Sequence, residues 1–541
     1  MDTSLVERTC HEAREKHDVP GLAVAVVDSA GAVHTGCAGR TARTQAGAPV
    51  SPATLFRLGS VTKPLTAAAV LRLARAGTID LDRPVTAYLP SLAGTGYPGV
   101  EHITLRHLLG HTSGLPQDFY PEGPRDSSLM SGAVHDLLRG YTPIAPPGTG
   151  YAYSNPGYDL AGLVAATAAG LPYPELMRRQ VFEPLGMAHT TFDPAAALTR
   201  PLALPHVRGP GGDWRVEHQV VDDVARHPSG FAYSNVLDMA AFLTAQLAGS
   251  RAPENFLHRD DLRLMHEEHA RLHLHDGRAS SLGFHRWHTQ RTTAVGQDGD
   301  IGGYGAWALL LPEHSLGAVL LVNALPPDLD GFALLGRLLK PWLPRRTGAG
   351  TTTRPVPPPH VPTRPATETW ASRTGVYVGP ALGLVRLESR DGRPFAEVNG
   401  RRARLSVRDD GRYEGIAADG TTVSVGFPAG AGAGTDWVVV DGSLCRRFAP
   451  DGTSTPDPAD LTAFTGTYHR IDTVTCSVRD DQLHLYSRED DREFPCTRLT
   501  DTLFAFDGGV IEFMTGPDGK VTGMRACNAV VLRRTGDGEA C

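Results

Sequence analysis

The sequence predicts an α/β fold in which an antiparallel sheet carries a large helical insertion and is followed by two small antiparallel β-barrels. Three observations lead to this expectation. Apolar hairpins begin near residues 21 and 306, segments with helical periodicity lie between them, and short alternating strands fill the chain after residue 366. A chain of 541 residues, 41% of them hydrophobic, is long enough to bury more than one core.

Two hairpins at opposite ends of the first 346 residues predict one antiparallel sheet. The segment 21–27, GLAVAVV, leads into a turn at 28–31, and the segment 306–311, AWALLL, leads into a turn at 312–315. Helical patterns lie between and after these hairpins. Their ranges are 65–77, 105–111, 158–170 and 237–249. We therefore expect residues 1–346 to form one catalytic domain with its sheet built from both ends.

The rest of the chain predicts a linker and two barrels. Residues 347–366 are rich in Gly, Thr and Pro, a composition typical of an extended linker. The segments 367–450 and 451–541 contain short alternating runs with Asp-Gly and Gly-Pro turns, typical of antiparallel meanders. The motif TGVY at 374–377 recurs as TGTY at 465–468, which indicates a tandem repeat. We expect the barrels to be scaffold or lid rather than the site of chemistry.

Composition narrows the classes of function. The formal net charge is -7, from 52 basic and 59 acidic residues without a block of one sign, which disfavours nucleic acid and favours a small neutral or basic substrate. No apolar run reaches the roughly 20 residues of a membrane span, and the first residues lack the apolar core of a signal peptide. We therefore expect a cytoplasmic protein that does not bind membranes. Seven cysteines without a C-x-x-C pair argue against a disulfide framework and a structural zinc site.

A serine and a lysine three residues apart begin the first apolar helical segment. At this spacing Ser60 and Lys63 share one helix face, and the serine oxygen lies at the positive end of the helix dipole. A partly buried lysine loses its proton more easily and can accept one from the Ser60 hydroxyl. Only four of the 52 basic residues are lysines, so this chain uses arginine for most of its positive charge. A lysine at position 63 therefore indicates a site where arginine would not serve, because only lysine can release its proton near neutral pH. The pair predicts an activated nucleophile.

Four segments around this pair carry a family resemblance. They are FRLGSVTKP at 56–64, ITLRHLLGHTSGLP at 103–116, PPGTGYAYSNPGYDLAGLV at 146–164 and VFEPLGMAHTTF at 181–192. In order and spacing they resemble the serine β-lactamase and penicillin-binding-protein-like family, above all its branch of class C β-lactamases, esterases and D-aminopeptidases, over residues 5 to 340. The resemblance implies that Ser60 is acylated and that Lys63 is its partner. It also suggests lipocalin-like barrels after the catalytic domain.

The family's Tyr-x-Asn motif is matched by Tyr153 and Asn155. A phenol beside an ammonium can lose its proton, deprotonate the nucleophile and then protonate the leaving amine. The amide of Asn155 can donate to a substrate carbonyl while its oxygen holds Lys63. The resemblance therefore implies a catalytic role for Tyr153 and a substrate-binding role for Asn155.

The family's third motif is altered in this chain. Where the family has Lys-Thr-Gly or His-x-Gly, this sequence has Gln297, Asp298 and Gly299. Gly299 leaves room for a substrate backbone, and Gln297 can donate a hydrogen bond but carries no charge. The resemblance implies an oxyanion hole made by the backbone N–H groups of Ser60 and Asp300. The role of the missing Lys or His stays open.

Two groups of polar residues are assigned to structure rather than chemistry. His266, His269 and His273 fall on one face of a predicted helix, but their spacing differs from His-Glu-x-x-His, so we expect a solvated helix and no metal. His111 and Ser113 are expected to form a hydrogen-bonded helix end. We expect no cofactor.

Three functions remain open. The first is a D-stereospecific peptidase, aminopeptidase or amidase that works through an acyl-enzyme on Ser60. The second is an esterase or a thioesterase of the penicillin-binding-protein type, which releases or cyclises a nonribosomal peptide delivered as a thioester or on a carrier protein. The third is a non-catalytic ligand-binding homologue, against which the joint presence of Ser60, Lys63 and Tyr153 argues. The partner is a small peptide or acyl substrate, and the oligomeric state stays open.

Overall fold

The structure is a computed structural model that describes most of the chain. The described residues are 3–117, 123–139, 141, 143–209, 212–218, 221–247, 256–274, 276–289, 292–343, 370–379, 382–408, 411–428, 436–448, 458–469, 473–487, 492–507, 509–516, 518–526 and 530–534. The predicted linker 347–366 lies outside these residues.

The central sheet of the first part of the chain is antiparallel. The strands of this part are β1 (Gly21–Asp28), β2 (Val33–Gly39), β3 (Phe56–Arg57), β4 (His206–Arg208), β5 (Trp214–Val216), β6 (Tyr233–Ser234), β7 (Ala270–Arg271), β8 (Ala279–Ser280), β9 (His285–His288), β10 (Thr293–Ile301), β11 (Tyr304–Leu311) and β12 (Leu316–Val322). Eight of them form one sheet in the order β2-β1-β12-β11-β10-β9-β8-β7. The two predicted hairpins therefore meet, since β1 pairs with β12 with Val24 opposite Leu320.

Helices cover both faces of this sheet. They are α1 (Thr3–His17), α2 (Thr62–Arg75), α3 (Leu105–Leu109), α4 (Met130–Arg139), α5 (Asn155–Ala169), α6 (Tyr173–Met177), α7 (Glu183–Leu185), α8 (Pro194–Leu198), α9 (His227–Gly230), α10 (Val236–Ala245), α11 (Arg259–His266) and α12 (Gly331–Leu339). Successive side chains of β1 point to opposite faces, so Ala23 and Ala25 join the core on the α2 and α5 side, while Val24 and Val26 join the core under α1 and α12. Burial on both faces explains why β11, β12 and the part of β1 before Asp28 are almost entirely apolar.

Two helices begin earlier than the apolar periodicity predicts. Helix α2 begins at Thr62 rather than at residue 65, and α5 begins at Asn155 rather than at 158. The hydroxyl of Ser154 accepts from the N–H of Gly157 at 2.9 Å and so caps α5. The first turns contain small and polar residues, which carry no apolar signal, so periodicity alone places these starts too late.

Two barrel-like sheets follow. The first has the strands β13 (Gly375–Gly379), β14 (Gly383–Arg390), β15 (Arg393–Val398), β16 (Arg401–Arg404), β17 (Ser406–Val407), β18 (Tyr413–Ile416), β19 (Thr422–Gly426), β20 (Trp437–Val440) and β21 (Ser443–Phe448). A bridge between Ala403 of β16 and Ala417, which directly follows β18, brings the two ends of this sheet together, so it is nearly closed. The second is a closed barrel of β22 (Gly466–His469), β23 (Thr473–Arg479), β24 (Gln482–Ser487), β25 (Arg492–Arg498), β26 (Leu503–Phe506), β27 (Gly509–Thr515), β28 (Val521–Ala526) and β29 (Val530–Arg534).

The two barrels share the local geometry that the repeated motif indicates. The Tyr377 hydroxyl donates to the carbonyl oxygen of Arg373 at 2.7 Å, and the Tyr468 hydroxyl donates to that of Phe464 at 2.8 Å. In each barrel an arginine of the last strand donates to the carbonyl of the residue before the motif glycine, Arg447 in the first and Arg534 in the second. These matched contacts support the tandem repeat.

The first barrel packs against the catalytic domain. An apolar cluster joins Ile144 and Ala145 of that domain to Trp437, Val439 and Leu444 of the barrel. The guanidinium of the buried Arg412 also donates to the carbonyl oxygen of Leu274. The barrel therefore lies against the segment that leads to Tyr153.

In the part of the chain that the structure describes, no helix is both long and apolar enough to cross a membrane. The cytoplasmic location expected from the sequence stays a prediction.

Candidate active site

Ser60 lies in a short helical turn that runs directly into α2. The turn spans Gly59–Val61 as a 3-10 helix, and Lys63 follows in the first turn of α2. Gly59 has a φ of 50°, a left-handed conformation that favours glycine and that turns the chain sharply from β3 into the helix. As a result Ser60 is partly exposed, whereas Lys63 is fully buried below it.

The Lys63 amine is held by three oxygen atoms. Its Nζ lies 2.9 Å from Oγ of Ser60, 2.7 Å from Oδ1 of Asn155 and 2.7 Å from the carbonyl oxygen of Ser229. An ammonium has three N–H donors, so these contacts satisfy it completely. The amine nitrogen is fixed next to the serine hydroxyl, in the position needed for proton transfer between them.

Tyr153 completes a hydrogen-bonded group around Ser60. Its hydroxyl donates to Oγ of Ser60 at 2.7 Å, so this oxygen receives contacts from both Lys63 and Tyr153. The Lys63 nitrogen also lies 4.9 Å from the centre of the Tyr153 ring, within the range of a cation–π contact. The structure therefore brings together Ser60, Lys63, Tyr153 and Asn155.

Burial shifts the pKa values of the two candidate bases in opposite directions. It lowers the pKa of Lys63 to about 7, against the carboxylates of Asp159 and Asp298, which raise it. It raises the pKa of Tyr153 above its ordinary value, although the hydrogen bond to Ser60 opposes that change. Near neutral pH a neutral amine on Lys63 is thus easier to form than a phenolate on Tyr153.

His111 and His285 contact the segment of residues 151–154, which carries Tyr153. The His111 ring stacks on the Tyr153 ring with 4.4 Å between their centres, and its Nδ1 accepts from the N–H of Ser154 at 3.1 Å. Nε2 of His285 lies 3.0 Å from the hydroxyl of Tyr151. Burial lowers the pKa of both histidines, so both are neutral. The sequence assigned His111 to a helix end, and no local pattern indicates that its ring contacts Tyr153, which lies about 40 residues further along the chain.

Strand β10 lies directly against the Ser60 turn. A methyl group at Gly299 would lie 2.1 Å from the carbonyl oxygen of Leu58 and 2.7 Å from the nitrogen of Ser60, so only glycine fits there. A methyl group at Gly59 would lie 2.6 Å from the nitrogen of Asp300. The two backbone nitrogens expected to form the oxyanion hole, those of Ser60 and Asp300, thus lie at the same junction of strand and turn.

Gln297 is buried, with 3% of its surface exposed, and its amide nitrogen donates to the carbonyl oxygen of Asp298 at 2.9 Å. The amide is directed at the strand's own backbone. The neighbouring Asp298 is exposed, and its carboxylate raises the pKa of both Lys63 and Tyr153, after the larger effects of burial. The position that holds a cation in the family motif therefore has a neutral side chain followed by an acid.

The expectation that His266, His269 and His273 share one helix face is wrong. Helix α11 ends at His266, because Glu267 takes an extended conformation with a ψ of 158°, and the chain then enters β7. Nε2 of His266 lies 3.2 Å from Oε1 of Gln246, and Nε2 of His269 lies 3.3 Å from the hydroxyl of Thr112. Within the described ranges no cluster of His, Cys, Asp and Glu could hold a metal ion.

A cavity of about 590 Å³ lies beside the tyrosine segment, between the catalytic domain and the first barrel. Gly150 and Tyr151 line one side, and Phe427, Pro428 and Val439 of the barrel line the other. The residues that line this cavity do not include Ser60, Lys63 or Tyr153.

No sequence pattern predicted three groups that lie near the site. The carbonyl of Ser229 holds Lys63, and the buried pair of Asp159 and Arg226 lies close to it. A backbone carbonyl has no sequence signature, and the two partners of the ion pair are 67 residues apart. Asp159 lies one helical turn after Asn155, and this spacing is the one signal that could have associated it with the site.

Comparison with known proteins gives one family. The family model described as beta-lactamase matches residues 6–340. Penicillin-binding protein 4 of Amycolatopsis lactamdurans is 30% identical over 327 residues, which are 57% of this chain and 82% of that protein. A beta-lactamase of Pseudomonas fluorescens is 33% identical over 189 residues, 34% of this chain and 49% of that enzyme, so the matched part spans about half of that relative.

Solved structures extend the similarity into the barrels. The crystal structure of SurE has a TM-score of 0.63 at 25% identity and covers 82% of this chain and 99% of its own. SurE has also been crystallised with D-Leu. An octameric penicillin-binding protein homologue from Pyrococcus abyssi has a TM-score of 0.54 at 20% identity over 90% of this chain and 98% of its own. A D-alanine carboxypeptidase from Burkholderia cenocepacia has a TM-score of 0.52 at 22% identity over 62% of this chain and 98% of its own. The last two comparisons concern the fold alone.

Proposed function

Because this chain belongs to the beta-lactamase family over residues 6–340, we propose that it is a serine hydrolase that forms an acyl-enzyme on Ser60. One observation carries the proposal: Oγ of Ser60 receives hydrogen bonds from both Lys63 and Tyr153. A hydroxyl is a weak nucleophile until a neighbouring base removes its proton. Both candidate bases are in contact with this hydroxyl.

In the proposed acylation, the neutral amine of Lys63 accepts the proton of Ser60 while Oγ attacks the substrate carbonyl carbon. The lowered pKa of Lys63 and the raised pKa of Tyr153 favour this assignment of the base. The carbonyl oxygen gains negative charge and is stabilised by the N–H groups of Ser60 and Asp300. When the intermediate collapses, the bond to the leaving group breaks, and Tyr153 donates its proton to that group.

Before deacylation, Lys63 gives up the proton that it took from Ser60 and Tyr153 regains one, so the acyl-enzyme holds a neutral amine and a neutral phenol. The Ser60 oxygen is then an ester oxygen without a proton and takes no part in this exchange. Water or another nucleophile then attacks the acyl carbon, with the same groups used in reverse. This second step regenerates the Ser60 hydroxyl and releases the acid, or a new amide or ester.

For the substrate class we propose a D-configured acyl group on a neutral leaving group, as in a D-stereospecific peptidase, aminopeptidase or amidase. The related SurE has been crystallised with D-Leu, which supports a D-configured residue. The neutral Gln297 and the acidic Asp298 disfavour a substrate carboxylate just past the scissile bond.

A thioesterase that releases or cyclises a peptide is the second candidate. The cavity of about 590 Å³ that begins at Tyr151 has room for a peptide segment, and Ser60 is not among the residues that line it. A carrier-protein partner stays a prediction. The ligand-binding alternative is disfavoured, because a binding module needs no lysine buried against a serine hydroxyl.

The test is intact mass after incubation with a fluorophosphonate and with D- and L-aminoacyl amides, esters and thioesters. Wild type should gain one covalent group, and Ser60→Ala should gain none. Ser131→Ala, which removes an exposed serine of α4, serves as the matched control and should be labelled like wild type. Labelling that persists in Ser60→Ala would overturn the assignment. Equal acylation by D- and L-compounds would overturn the proposed stereospecificity alone.

A further inference from the structure

A buried ion pair lies next to Lys63 and takes no part in the proposed bond-making steps. Nη1 of Arg226 lies 2.6 Å from Oδ2 of Asp159, and only 3% and 1% of the two side chains are exposed. Nη2 of Arg226 also lies 3.3 Å from the hydroxyl of Tyr141. An ion pair this deeply buried gains little net stability over apolar residues of the same volume, so folding stability alone does not account for it.

The pair connects the two elements that hold the Lys63 amine. Asp159 lies on α5 one turn after Asn155, whose side-chain oxygen accepts from Lys63. Arg226 lies three residues before Ser229, whose carbonyl oxygen is another acceptor for Lys63. The Ser229 hydroxyl also donates to the carbonyl oxygen of Arg226 at 3.2 Å. The ion pair therefore links the two elements that carry the oxygens on either side of the amine.

The two charges of the pair act on Lys63 in opposite senses. After burial, which is the largest effect and lowers the pKa of Lys63 to about 7, the Asp159 carboxylate raises this pKa and the Arg226 guanidinium lowers it. Burial also raises the pKa of Asp159 itself to about 6, although Arg226 opposes that change. Asp159 is therefore mostly ionised at neutral pH.

Five other ionisable groups lie near Lys63. They are Tyr153, Tyr158, His111, His285 and Asp298. Burial raises the pKa of both tyrosines and lowers that of both histidines, so all four are neutral near pH 7. Among the groups named here, Asp159, Arg226 and Asp298 are the ones that carry charge at the pH where Lys63 titrates.

We propose that the Asp159–Arg226 ion pair is a positioning unit for Lys63, which fixes the two oxygens, those of Asn155 and Ser229, that hold its amine. The two charges of the pair also act on the protonation of that amine. This inference rests on the proposed function of Lys63 as the base. Neither partner is a catalytic residue, since both act through Lys63.

The experiment measures the rate constant for fluorophosphonate labelling of the full-length chain between pH 5 and 9. In Asp159→Asn, Lys63 loses the attraction of a carboxylate, so the midpoint of the rise in rate should move to lower pH. In Arg226→Gln, Asp159 loses the guanidinium that opposes the rise in its pKa, so its carboxyl is protonated near neutral pH, both charges are lost together and the midpoint should stay close to that of wild type. The shift in Asp159→Asn should be about 0.5 to 1 pH unit, since the charges act at a distance longer than direct contact. The double variant should return close to the wild-type midpoint.

A shift of the midpoint in Asp159→Asn but not in Arg226→Gln distinguishes this proposal from a purely structural role. Damage to the fold lowers the rate in both variants without moving the midpoint of Asp159→Asn alone. The matched control is Asp82→Asn, which breaks the exposed pair with Arg106 and should leave the midpoint unchanged. An unchanged midpoint in Asp159→Asn, or an equal downward shift in both Asp159→Asn and Arg226→Gln, would overturn the proposal.

Conservative variants keep the proposal testable if removal of a buried charge prevents folding. Asp159→Glu and Arg226→Lys retain both charges but move them, so the rate should fall about threefold or more while the midpoint stays near that of wild type. Wild-type rates in both conservative variants would overturn the positioning role. The outcome is separate from that of the proposed function, which fails only if Ser60 is not the labelled residue.

Discussion

The segment that leads to Tyr153 lies between two regions of contrasting chemistry. On one side, Ser60, Lys63, Tyr153 and Asn155 form a polar group that is joined by hydrogen bonds of 2.7 to 2.9 Å. On the other side, Ala145 packs against Leu444 and other apolar side chains of the first barrel. The same short segment thus has a polar catalytic face and an apolar supporting face.

The two faces differ in how strongly their interactions depend on exact geometry. Hydrogen bonds and proton transfers depend on tenths of an ångström and on protonation state, whereas apolar burial is non-directional and scales with area. Substitutions on the polar side should therefore change rates by orders of magnitude. Substitutions on the barrel side should change them by small factors, and the following predictions test this division in order of decreasing effect.

Lys63→Arg should lower the labelling rate by about 10² to 10⁴, although it keeps the positive charge, because a guanidinium cannot release its proton near neutral pH. The measurement is the rate constant for fluorophosphonate labelling. Lys340→Arg, at an exposed lysine, is the matched control and should behave as wild type. If Lys63→Arg kept most of the activity, Lys63 would be an electrostatic anchor and Tyr153 the base.

Gln297→Lys should shift preference toward substrates with a free carboxylate past the scissile bond. A charge-assisted hydrogen bond contributes about 1.5 to 3 kcal/mol, which corresponds to a change of about 10- to 160-fold in relative specificity. The measured quantity is the ratio of kcat/KM for an acyl-amino acid to that for its amide. Gln297→Met, of similar length and without charge, separates packing from electrostatics. A wild type that already prefers the free acid would show that another cation fills this role.

The labelling rate of wild type should rise with pH and reach half of its maximum near pH 7. The active form needs a neutral Lys63, and burial lowers the pKa of this amine to about 7, so protonation below that pH removes the base. Well below the midpoint the rate should fall about tenfold for each pH unit. A rate that is constant between pH 5 and 8 would contradict Lys63 as the base.

Leu444→Asp should have the smallest effect. Leu444 is buried against the segment before Tyr153, and a methyl group at Gly150 would lie 3.3 Å from its side chain. A carboxylate there disfavours the barrel contact and loosens the segment, which should lower kcat by about 3- to 10-fold, equal to roughly 1 kcal/mol. The pH midpoint should not move. Val407→Asp, at an exposed position of the same barrel, is the matched control.

A loss in Leu444→Asp as large as that in Lys63→Arg would contradict the division between the two faces. The barrel contact would then belong to the catalytic apparatus.

The sequence alone determined the features that depend on short-range order. The Ser60-x-x-Lys63 spacing places both side chains on one helical face, and the apolar runs at 21–27 and 306–311 become paired strands in the centre of the sheet. The repeated TG-x-Y motif predicts two similar barrels, which the structure confirms. These features follow from the periodicities of 3.6 residues in helices and 2 residues in strands, which the order of the residues shows without a structure.

Only the tertiary structure decided what surrounds the Lys63 amine. Lys63 and Ser229 are 166 residues apart in the sequence. Every residue has a backbone carbonyl, so no pattern of side chains predicts which carbonyl contacts the amine. The pairing of Asp159 with Arg226 and the docking of the first barrel beside Tyr153 likewise depend on how distant elements pack. Burial sets the protonation state of Lys63, and burial is a property of the packed fold rather than of any local segment.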